Sequence, residues 1–299
     1  MKNILIGTMS RGNAQTPDYI RYLGNLGFES TEVTFGHNYE YLMSGVDLKE
    51  YAAACKKACD DAGMEMSSIG LYGNPLSGDQ EAANCIRCWE LLIDHAADFG
   101  TDLICGFTGR VIDKPVEDSI PEYKAVFGDL AARAKEKGVR IAFENCNMGG
   151  GWYSGNWNIA FNPKCWDLMF SALDADNIGL EWEPAHQIMQ LIEPIPQLRI
   201  WADKIFHIHG KDAQIEWDTL KQEGTLAGIP GYHRHPGFGE TNWTDVISIL
   251  RQHNYQGNID LEGWHDLVYK GDLEMTGQVA SMKYLKACRG GDFVQNFVQ

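Results

Sequence analysis

Four short apolar segments of this chain each end in a side chain that can bind a metal ion. The four residues are Glu144, Glu183, His209 and Glu262. Each segment is rich in β-preferring residues and is followed by glycine, proline or polar residues, which predicts a buried strand. Strand ends converge at one face of a parallel barrel. Three carboxylates and an imidazole meeting there would form a divalent-cation site with mixed oxygen and nitrogen ligands.

Three of these segments carry a second ionisable residue two positions before the predicted ligand: Glu181, His207 and Asp260. Because side chains alternate along a strand, each pair points to the same face, which in a closed barrel is the interior. A carboxylate buried without a positive partner is unfavourable or takes up a proton. A divalent ion is the simplest source of positive charge, and Lys211 and Arg234 supply more. We expect His207, one layer deeper, to have a structural role.

The pattern along the chain predicts eight strands with a helix between most neighbours. The predicted strands are Asn3–Thr8, Ser30–Phe35, Glu65–Leu71, Asp102–Phe107, Val139–Asn145, Asn177–Glu183, Lys204–His209 and Asn258–Glu262. The predicted helices lie near Asp18–Leu26, Asp47–Ala62, Asp79–Phe99, Glu122–Lys137, Lys164–Leu173, Ile195–Ala202, Thr244–His253 and Met275–Lys286. This alternation over 299 residues predicts a single α/β domain, residues 1–299, folded as a (β/α)8 TIM barrel with a parallel eight-stranded core.

Three loops that follow predicted strands are longer than the fold requires: residues Cys146–Pro163, Lys211–Asn242 and Gly73–Asp79. Long loops in compact domains are usually binding loops or lids. The first of them places Trp152, Tyr153 and Trp157 beside glycines and polar residues, a mixture that suits the faces and hydroxyls of a sugar. The alternative is that these rings only pack the loop against the barrel.

The composition excludes several classes of function. The chain has 25 basic and 41 acidic residues, a formal charge of −16, and no Lys/Arg cluster, so we expect no nucleic-acid partner. No apolar run is long enough for a membrane helix, and Met1–Gly7 becomes polar too quickly for a signal peptide, so we expect a cytoplasmic protein. Cys55, Cys59, Cys85 and Cys88 lie in predicted helices, and Cys105 and Cys146 follow or end predicted strands, which favours reduced, packed thiols for the eight cysteines.

Four motifs in order carry a resemblance to a known family. Glu183-Pro-Ala-His186 resembles an Asp-Pro-x-His element, and His209-Gly-Lys-Asp212 resembles a His-x-Lys-Asp element. Residues 234–243 are similar to an Arg-x-Pro-Gly-x-Gly-x-x-x-Trp loop, and residues 254–262 to the passage that ends in the last metal-binding glutamate. Together they resemble the sugar phosphate isomerase/epimerase-like family of xylose-isomerase-like barrels, over nearly the whole chain.

The resemblance implies roles for individual residues. Glu144, Glu183, His209 and Glu262 would bind one divalent ion, Mn²⁺ in the first place, with Mg²⁺, Co²⁺ or Zn²⁺ as alternatives. Glu144 and Glu262 would also be the catalytic pair that moves the proton. His186 and Arg234 would contact the substrate. The family usually has Asp where Glu183 stands, so Glu181 is a second candidate for that ligand.

Other residues near the predicted strand ends are further candidates. Lys211 either neutralises the site or contacts substrate oxygens, and His265, with Trp264, follows Glu262 closely enough to line a pocket. Glu32 either binds sugar hydroxyls or belongs to a polar layer of the barrel. Asp212 is a candidate to orient a metal-binding imidazole, and Arg110 to bind an anionic substrate.

A carboxylate-rich divalent site is suited to removing a proton next to a carbonyl. The resemblance therefore implies a metal-dependent isomerase or epimerase acting on a small carbohydrate through an enediolate. The alternative is a lyase that eliminates water or an aglycone from a keto-inositol or 3-keto-glycoside. The DNA-repair endonucleases of the same superfamily bind three zinc ions with extra histidines, for which only His37 is near a suitable position. A homo-oligomer and a non-catalytic sugar-binding barrel remain open.

Overall fold

Eight parallel strands close into a barrel in the computed structural model, which describes residues 3–36, 39–292 and 294–296. The barrel strands are β1 (Ile6–Arg11), β2 (Ser30–Thr34), β3 (Glu65–Leu71), β4 (Leu103–Gly106), β5 (Arg140–Glu144), β6 (Ile178–Trp182), β7 (Ile205–Gly210) and β10 (Ile259–Leu261). Around the barrel their order is β1-β10-β7-β6-β5-β4-β3-β2, and β1 pairs with both β10 and β2. The predicted TIM barrel is confirmed, and His37 lies outside the described residues.

Helices surround the barrel and connect successive strands. They are α1 (Thr16–Leu26), α2 (Glu40–Met43), α3 (Leu48–Ala62), α4 (Gln80–Phe99), α5 (Val116–Glu136), α6 (Pro163–Ala172), α7 (Pro184–Ile188), α8 (Pro194–Trp201), α9 (Trp217–Glu223), α10 (Trp243–Gln252) and α11 (Glu274–Cys288). The side chains of Asp47 and Asp79 accept hydrogen bonds from backbone N–H groups at the starts of α3 and α4. Gly63 and Gly100 end the same helices in the left-handed conformation.

Two predicted elements have a boundary that differs from the structure by three residues or more. Strand β1 runs over Ile6–Arg11 instead of Asn3–Thr8, because its polar second half is buried in the barrel wall and pairs with β2 from Thr8 to Arg11. Helix α5 begins at Val116, six residues before the predicted start at Glu122. Pro121 lies inside the second turn of this helix, where it removes one backbone donor.

The long loop after β7 contains regular structure that the sequence pattern did not predict. Strands β8 (Asp212–Ile215) and β9 (Gly231–Arg234) pair in antiparallel fashion, with α9 between them. The buried side chains of Ala213 and Ile215 pack on those of Ala185 and Ile188 in α7. This hairpin is therefore fixed against the segment that follows β6, at the face where the barrel strands end.

The apolar core lies between the strands and the surrounding helices. It contains the fully buried rings of Trp89, Trp166, Trp182 and Trp243. All eight cysteines are unpaired thiols, as expected for a chain with a core of this size. In the described part of the chain, no helix has both the length and the apolar character needed to cross a membrane.

Candidate active site

The four predicted ligands meet at the mouth of the barrel. Glu144 ends β5, Glu183 follows β6, His209 lies in β7 and Glu262 follows β10. One oxygen or nitrogen atom of each lies within 4.8 Å of the corresponding atoms of the others. Glu183 and His209 are completely buried, whereas Glu144 and Glu262 are 5% and 8% exposed. Two of the carboxylates therefore reach the solvent-facing side of the cluster and the other two groups lie behind them.

Several carboxylate oxygens in this cluster have no hydrogen-bond partner among the described residues. They are both oxygens of Glu183 and Oε2 of Glu262, and all three are buried. Burial raises the pKa of Glu183 well above its usual range and also raises that of Glu144. Three carboxylates, two of which have unsatisfied oxygens, and one imidazole nitrogen are the donor set of a divalent cation. The residues present therefore fit the predicted metal site.

Lys211 supplies positive charge inside the cluster. Its Nζ lies 2.7 Å from Oε1 of Glu262 and 3.7 Å from Oε1 of Glu183, and the residue is buried. Burial would lower the pKa of Lys211, but the two carboxylates raise it, so the ammonium stays charged. Burial would likewise raise the pKa of Glu262, but Lys211 and His209 hold it below its usual range. Lys211 therefore keeps Glu262 ionised.

A second polar layer lies beneath the cluster, inside the barrel. His207 contacts Glu181 through Nδ1 at 2.8 Å and Asp260 through Nε2 at 2.9 Å. Burial would lower the pKa of His207, but these two carboxylates raise it to about 9. Glu32 belongs to this layer, where burial and the nearby Glu181 raise its pKa to about 7. His207 therefore has the structural environment that was predicted for it.

Tyr72 connects the two layers to the cavity above them. Its hydroxyl lies 2.6 Å from Oε1 of Glu32 and 2.8 Å from Oε2 of Glu181. The same oxygen lies 3.3 Å from Nε2 of His209. The ring lines the cavity and packs edge-on against Phe107. The position of Tyr72 therefore depends on both the buried acids and the cavity wall.

A cavity of about 970 Å³ opens above the carboxylate cluster, and its size lies at the upper end of ordinary small-molecule sites. Six predicted site residues line it: Glu144, His186, His209, Lys211, Glu262 and His265. Met9, Tyr72 and Phe107 form a buried apolar cluster on one wall, with Met148 and Trp264 packed against it. An apolar wall that faces several polar groups is the usual composition of a small-molecule site.

Three histidines form the polar wall of the cavity. The ring centroids of His186 and His233 lie 5.2 Å apart, and those of His233 and His265 lie 6.1 Å apart. Burial lowers the pKa of all three, that of His233 to about 4, so the rings are neutral near pH 7. Nε2 of His186 lies 3.1 Å from Oε1 of Glu183 without the alignment of a hydrogen bond. This buried nitrogen is available to a bound molecule.

Three of the predicted substrate-binding residues are not among those that line the cavity. Nε1 of Trp152 donates to Glu117, and the ammonium of Lys164 lies 3.5 Å from the centre of the Trp152 ring. Its long loop folds back on α5 and α6, which agrees with the packing alternative for this loop. Glu32 lies in the buried layer beneath the cluster, because its strand position points into the barrel.

Arg234 is the third such residue. Its Nε donates to Asp266 at 3.2 Å and its Nη1 donates to Gln214 at 2.9 Å. The guanidinium therefore ties the β8–β9 hairpin to the segment after β10. Arg234 has these partners because it lies in the β8–β9 hairpin, which turns its side chain away from the cavity floor.

Two further candidates also have partners in the protein. The guanidinium of Arg110 is bound to the backbone carbonyls of Lys114, Gly151 and Trp152, so it supports two loops. Asp212 accepts hydrogen bonds from Thr241 and from the indole of Trp243, at the base of α10. The imidazole of His209 contacts other carboxylates, Glu181 at 3.0 Å and Glu144 at 3.3 Å.

Sequence analysis missed three residues that line the cavity: Arg11, Tyr72 and His233. Arg11 and Tyr72 both stand at or just beyond the carboxyl end of a strand, which is the position where barrel loops carry functional groups. Because β1 was predicted to end at Thr8, Arg11 was not recognised as a residue at the strand end. His233 lies in β9, and only recognition of the hairpin would have brought it to the mouth of the barrel.

Comparison with known proteins gives relatives over most of the chain. The family model described as xylose isomerase-like TIM barrel matches residues 20–288. The uncharacterised protein YfiH of Bacillus subtilis is 22% identical, over 92% of this chain and 96% of its own length. An inosose dehydratase of Clostridium perfringens is also 22% identical, but the match spans about half of each protein, 52% of this chain and 50% of that enzyme.

A solved structure has the same fold. The E. coli 3-keto-D-glucoside 4-epimerase YcjR, in its apo form, aligns with a TM-score of 0.70 over 95% of this chain and 100% of that one. The sequence identity is 17%, so this likeness concerns the fold alone. The family resemblance predicted from the four motifs is confirmed by the family model, and the chain belongs to the xylose isomerase-like TIM barrel family.

Proposed function

We propose that this protein is a divalent-metal-dependent isomerase or epimerase that acts on a keto-sugar. The observation that carries the proposal is the cluster of Glu144, Glu183, His209 and Glu262, whose three unsatisfied carboxylate oxygens lie beneath a large cavity. The fold is one that a 3-keto-D-glucoside 4-epimerase also uses, so it is compatible with this chemistry.

The four side chains would bind the metal, with Mn²⁺ as the ion we expect first. Carboxylate oxygens suit Mn²⁺ and Mg²⁺, and the single imidazole also admits Co²⁺ and Zn²⁺. When bound, a divalent ion supplies Lewis-acid chemistry, orienting a carbonyl and a neighbouring hydroxyl and stabilising negative charge on them.

Glu144 and Glu262 are the groups placed to move the proton. Both line the cavity, and in the barrel the strands that carry them are separated by β6 and β7. One carboxylate removes the proton from the carbon next to the carbonyl, and the electron pair moves to the carbonyl oxygen. The other enters the step as the protonated acid and gives its own proton to the opposite face of that carbon, or to the former carbonyl carbon, while the electron pair returns from the oxygen; this inverts the centre or moves the carbonyl.

The remaining polar groups hold the sugar in place. The neutral imidazole of His186 offers its buried Nε2 to a hydroxyl, and His233 and His265 extend this wall. The ammonium of Lys211 contacts Glu262 and keeps it ionised, so this carboxylate can accept a proton. The apolar wall around Met9 and Phe107 excludes water from the opposite side.

The direct test is proton exchange with the solvent. The Mn²⁺-loaded protein is incubated with a panel of keto-sugars in deuterated water, and the products are examined by mass spectrometry and NMR. We expect deuterium at the carbon next to the carbonyl, with no loss of mass from the sugar skeleton. A panel in which no keto-sugar exchanges with solvent above the metal-free background would overturn the proposal.

A second function is favoured by one of the comparisons. An inosose dehydratase is among the relatives, and loss of water begins with the same proton removal. In a lyase the electron pair expels a β-hydroxyl or an aglycone, and the carbon that lost the proton is not reprotonated. The same incubation distinguishes a lyase from an isomerase or epimerase, because a lyase produces a lighter product or a released alcohol.

A further inference from the structure

A second cavity adjoins the candidate active site. Its volume is about 360 Å³, and its wall includes residues of β1, α1 and α11. Four residues line both this cavity and the larger one: Met9, Arg11, Asn13 and Trp264. The two spaces therefore share a border, and one molecule can occupy both. Trp264 stands two residues beyond the carboxylate of Glu262, which places the border beside the cluster.

The loop between β1 and α1 brings unused hydrogen-bonding groups to the second cavity. Arg11, Asn13 and Gln15 all line it. Among the hydrogen bonds of residues 3–36, 39–292 and 294–296, none involves the guanidinium of Arg11, the side-chain nitrogen Nδ2 of Asn13 or the side-chain amide of Gln15. The neighbouring Gln278, by contrast, is engaged by Thr8 and Glu274. The three loop residues thus present several N–H donors to a ligand.

The border also contains an aromatic face. The guanidinium of Arg11 lies 5.2 Å from the ring centroid of Trp264, a cation–π distance that limits the movement of both side chains. Trp264 is half-buried, with Met9 and Tyr72 in the apolar cluster behind it. A flat ring flanked by amide and guanidinium donors suits a ligand that has an apolar face and a rim of hydroxyls.

The charges of the second cavity argue against an anionic ligand. Arg11 is a cation on one side, and Glu274 is a carboxylate on the other. The formal charges of these two residues cancel, and the chain as a whole carries −16. A phosphate or carboxylate group would therefore find no net attraction, whereas a neutral polyhydroxyl group meets donors, an acceptor and an aromatic ring.

We propose that the second cavity is a subsite for a further sugar unit, joined through a glycosidic bond to the sugar that reacts at the carboxylate cluster. The inference rests on the proposed function and narrows its substrate class to glycosides rather than free monosaccharides. The main cavity alone, at about 970 Å³, is already of the size found around drug-sized ligands.

The test is a comparison of binding that does not require turnover. Isothermal titration calorimetry of the Mn²⁺-loaded protein compares glucose with maltose, cellobiose, sucrose and trehalose. We expect at least one disaccharide to bind about tenfold more tightly than glucose. If every disaccharide binds no more tightly than glucose, the proposal is wrong.

Variants locate the effect in the second cavity. Gln15→Ala and Trp264→Ala should each reduce the ratio of disaccharide to glucose affinity at least threefold, and Trp264→Phe, which keeps an aromatic face, should restore most of it. Gln80→Ala, an exposed glutamine at the start of α4, is the matched control and should leave the ratio unchanged. If the ratio of disaccharide to glucose affinity is unchanged in both Gln15→Ala and Trp264→Ala, the second cavity is not the sugar subsite.

The outcome is separable from that of the proposed function. Deuterium exchange reports on the carboxylate cluster, whereas the affinity ratio reports on the second cavity. Exchange without a disaccharide preference leaves the proposed function in place and overturns the subsite. A disaccharide preference without exchange supports the subsite and overturns the proposed reaction.

Discussion

Nε2 of His209 lies 3.0 Å from Oε1 of Glu181, on the opposite edge of the ring from the cavity carboxylates. The other ring nitrogen, Nδ1, faces Oε1 of Glu144 at 3.3 Å and Oε2 of Glu262 at 3.7 Å. A carboxylate that accepts the proton of one imidazole nitrogen fixes the tautomer and leaves the other nitrogen free to bind a metal. Glu181 is therefore a positioning residue for His209.

The first prediction concerns this pair. Glu181→Gln should weaken Mn²⁺ binding by about 10-fold to 100-fold, because a neutral amide holds the imidazole less firmly and makes it a weaker ligand. Competition with a chelator measures the affinity. Asp260→Asn is the matched control, since Asp260 occupies the same layer but contacts His207. Equal losses of Mn²⁺ affinity in the two variants would contradict the role of Glu181, because they would show that the buried polar layer affects metal binding only through the stability of the fold.

The second prediction concerns the proton transfer assigned to Glu262. Glu262→Gln should reduce deuterium exchange by about 10²-fold or more, because the amide cannot accept the proton. Its shape is retained, so the melting temperature should change little. Glu122→Gln, on the exposed side of α5, serves as the control. A Glu262→Gln variant with undiminished exchange would remove this residue from the mechanism.

The third prediction concerns the pH dependence of stability at the other end of the barrel. Burial would raise the pKa of Glu29, but hydrogen bonds from Arg289 and from the backbone N–H of Ile6 lower it below its usual range. A lowered pKa in the folded protein means that the ionised form stabilises the fold above the ordinary pKa of about 4.3. This contribution is lost as the pH falls through the lowered value.

Glu29→Gln should therefore reduce the free energy of unfolding by about 1 kcal/mol at pH 7, a modest value because the pair is partly exposed to solvent. The difference from the wild type should shrink below about pH 4. Urea unfolding at pH values from 7 to 3.5 measures it. A difference that stays constant or grows towards acid pH would contradict the assignment.

The fourth prediction concerns a close approach of two neighbouring barrel strands at Gly7. A Cβ added at Gly7 would overlap the carbonyl oxygen of Ser30 and the carboxylate of Asp260. Because a backbone atom cannot move aside easily, Gly7→Ala should destabilise the protein by about 3 kcal/mol. Gly128→Ala in α5 is the matched control, since nothing lies within 4 Å of its added Cβ. This control should raise the melting temperature slightly, because alanine favours a helix. A Gly7→Ala protein as stable as the wild type would contradict the packing described for β1.

The sequence predicted the barrel because its strands and helices have clear periodicities, and it predicted the carboxylate cluster because strand ends converge in this fold. The positions of Trp152 and Arg234 depend on how long loops fold. Trp152 packs on Lys164 and Glu117, and the unpredicted hairpin carries Arg234 towards Asp266. Such contacts join residues distant in the chain, and no local pattern encodes them. The same applies to Tyr72, whose hydroxyl contacts Glu32 and Glu181, two acids from strands distant in the chain.

The central claim is that Glu144, Glu183, His209 and Glu262 bind one divalent ion. The most direct measurement is the metal content of the protein after removal of metals with a chelator, reloading with Mn²⁺ and gel filtration. We predict one Mn²⁺ per chain for the wild type and almost none for Glu144→Gln/Glu183→Gln, with unchanged circular dichroism. A wild type that retains no Mn²⁺, or a double variant that retains as much as the wild type, would contradict the account.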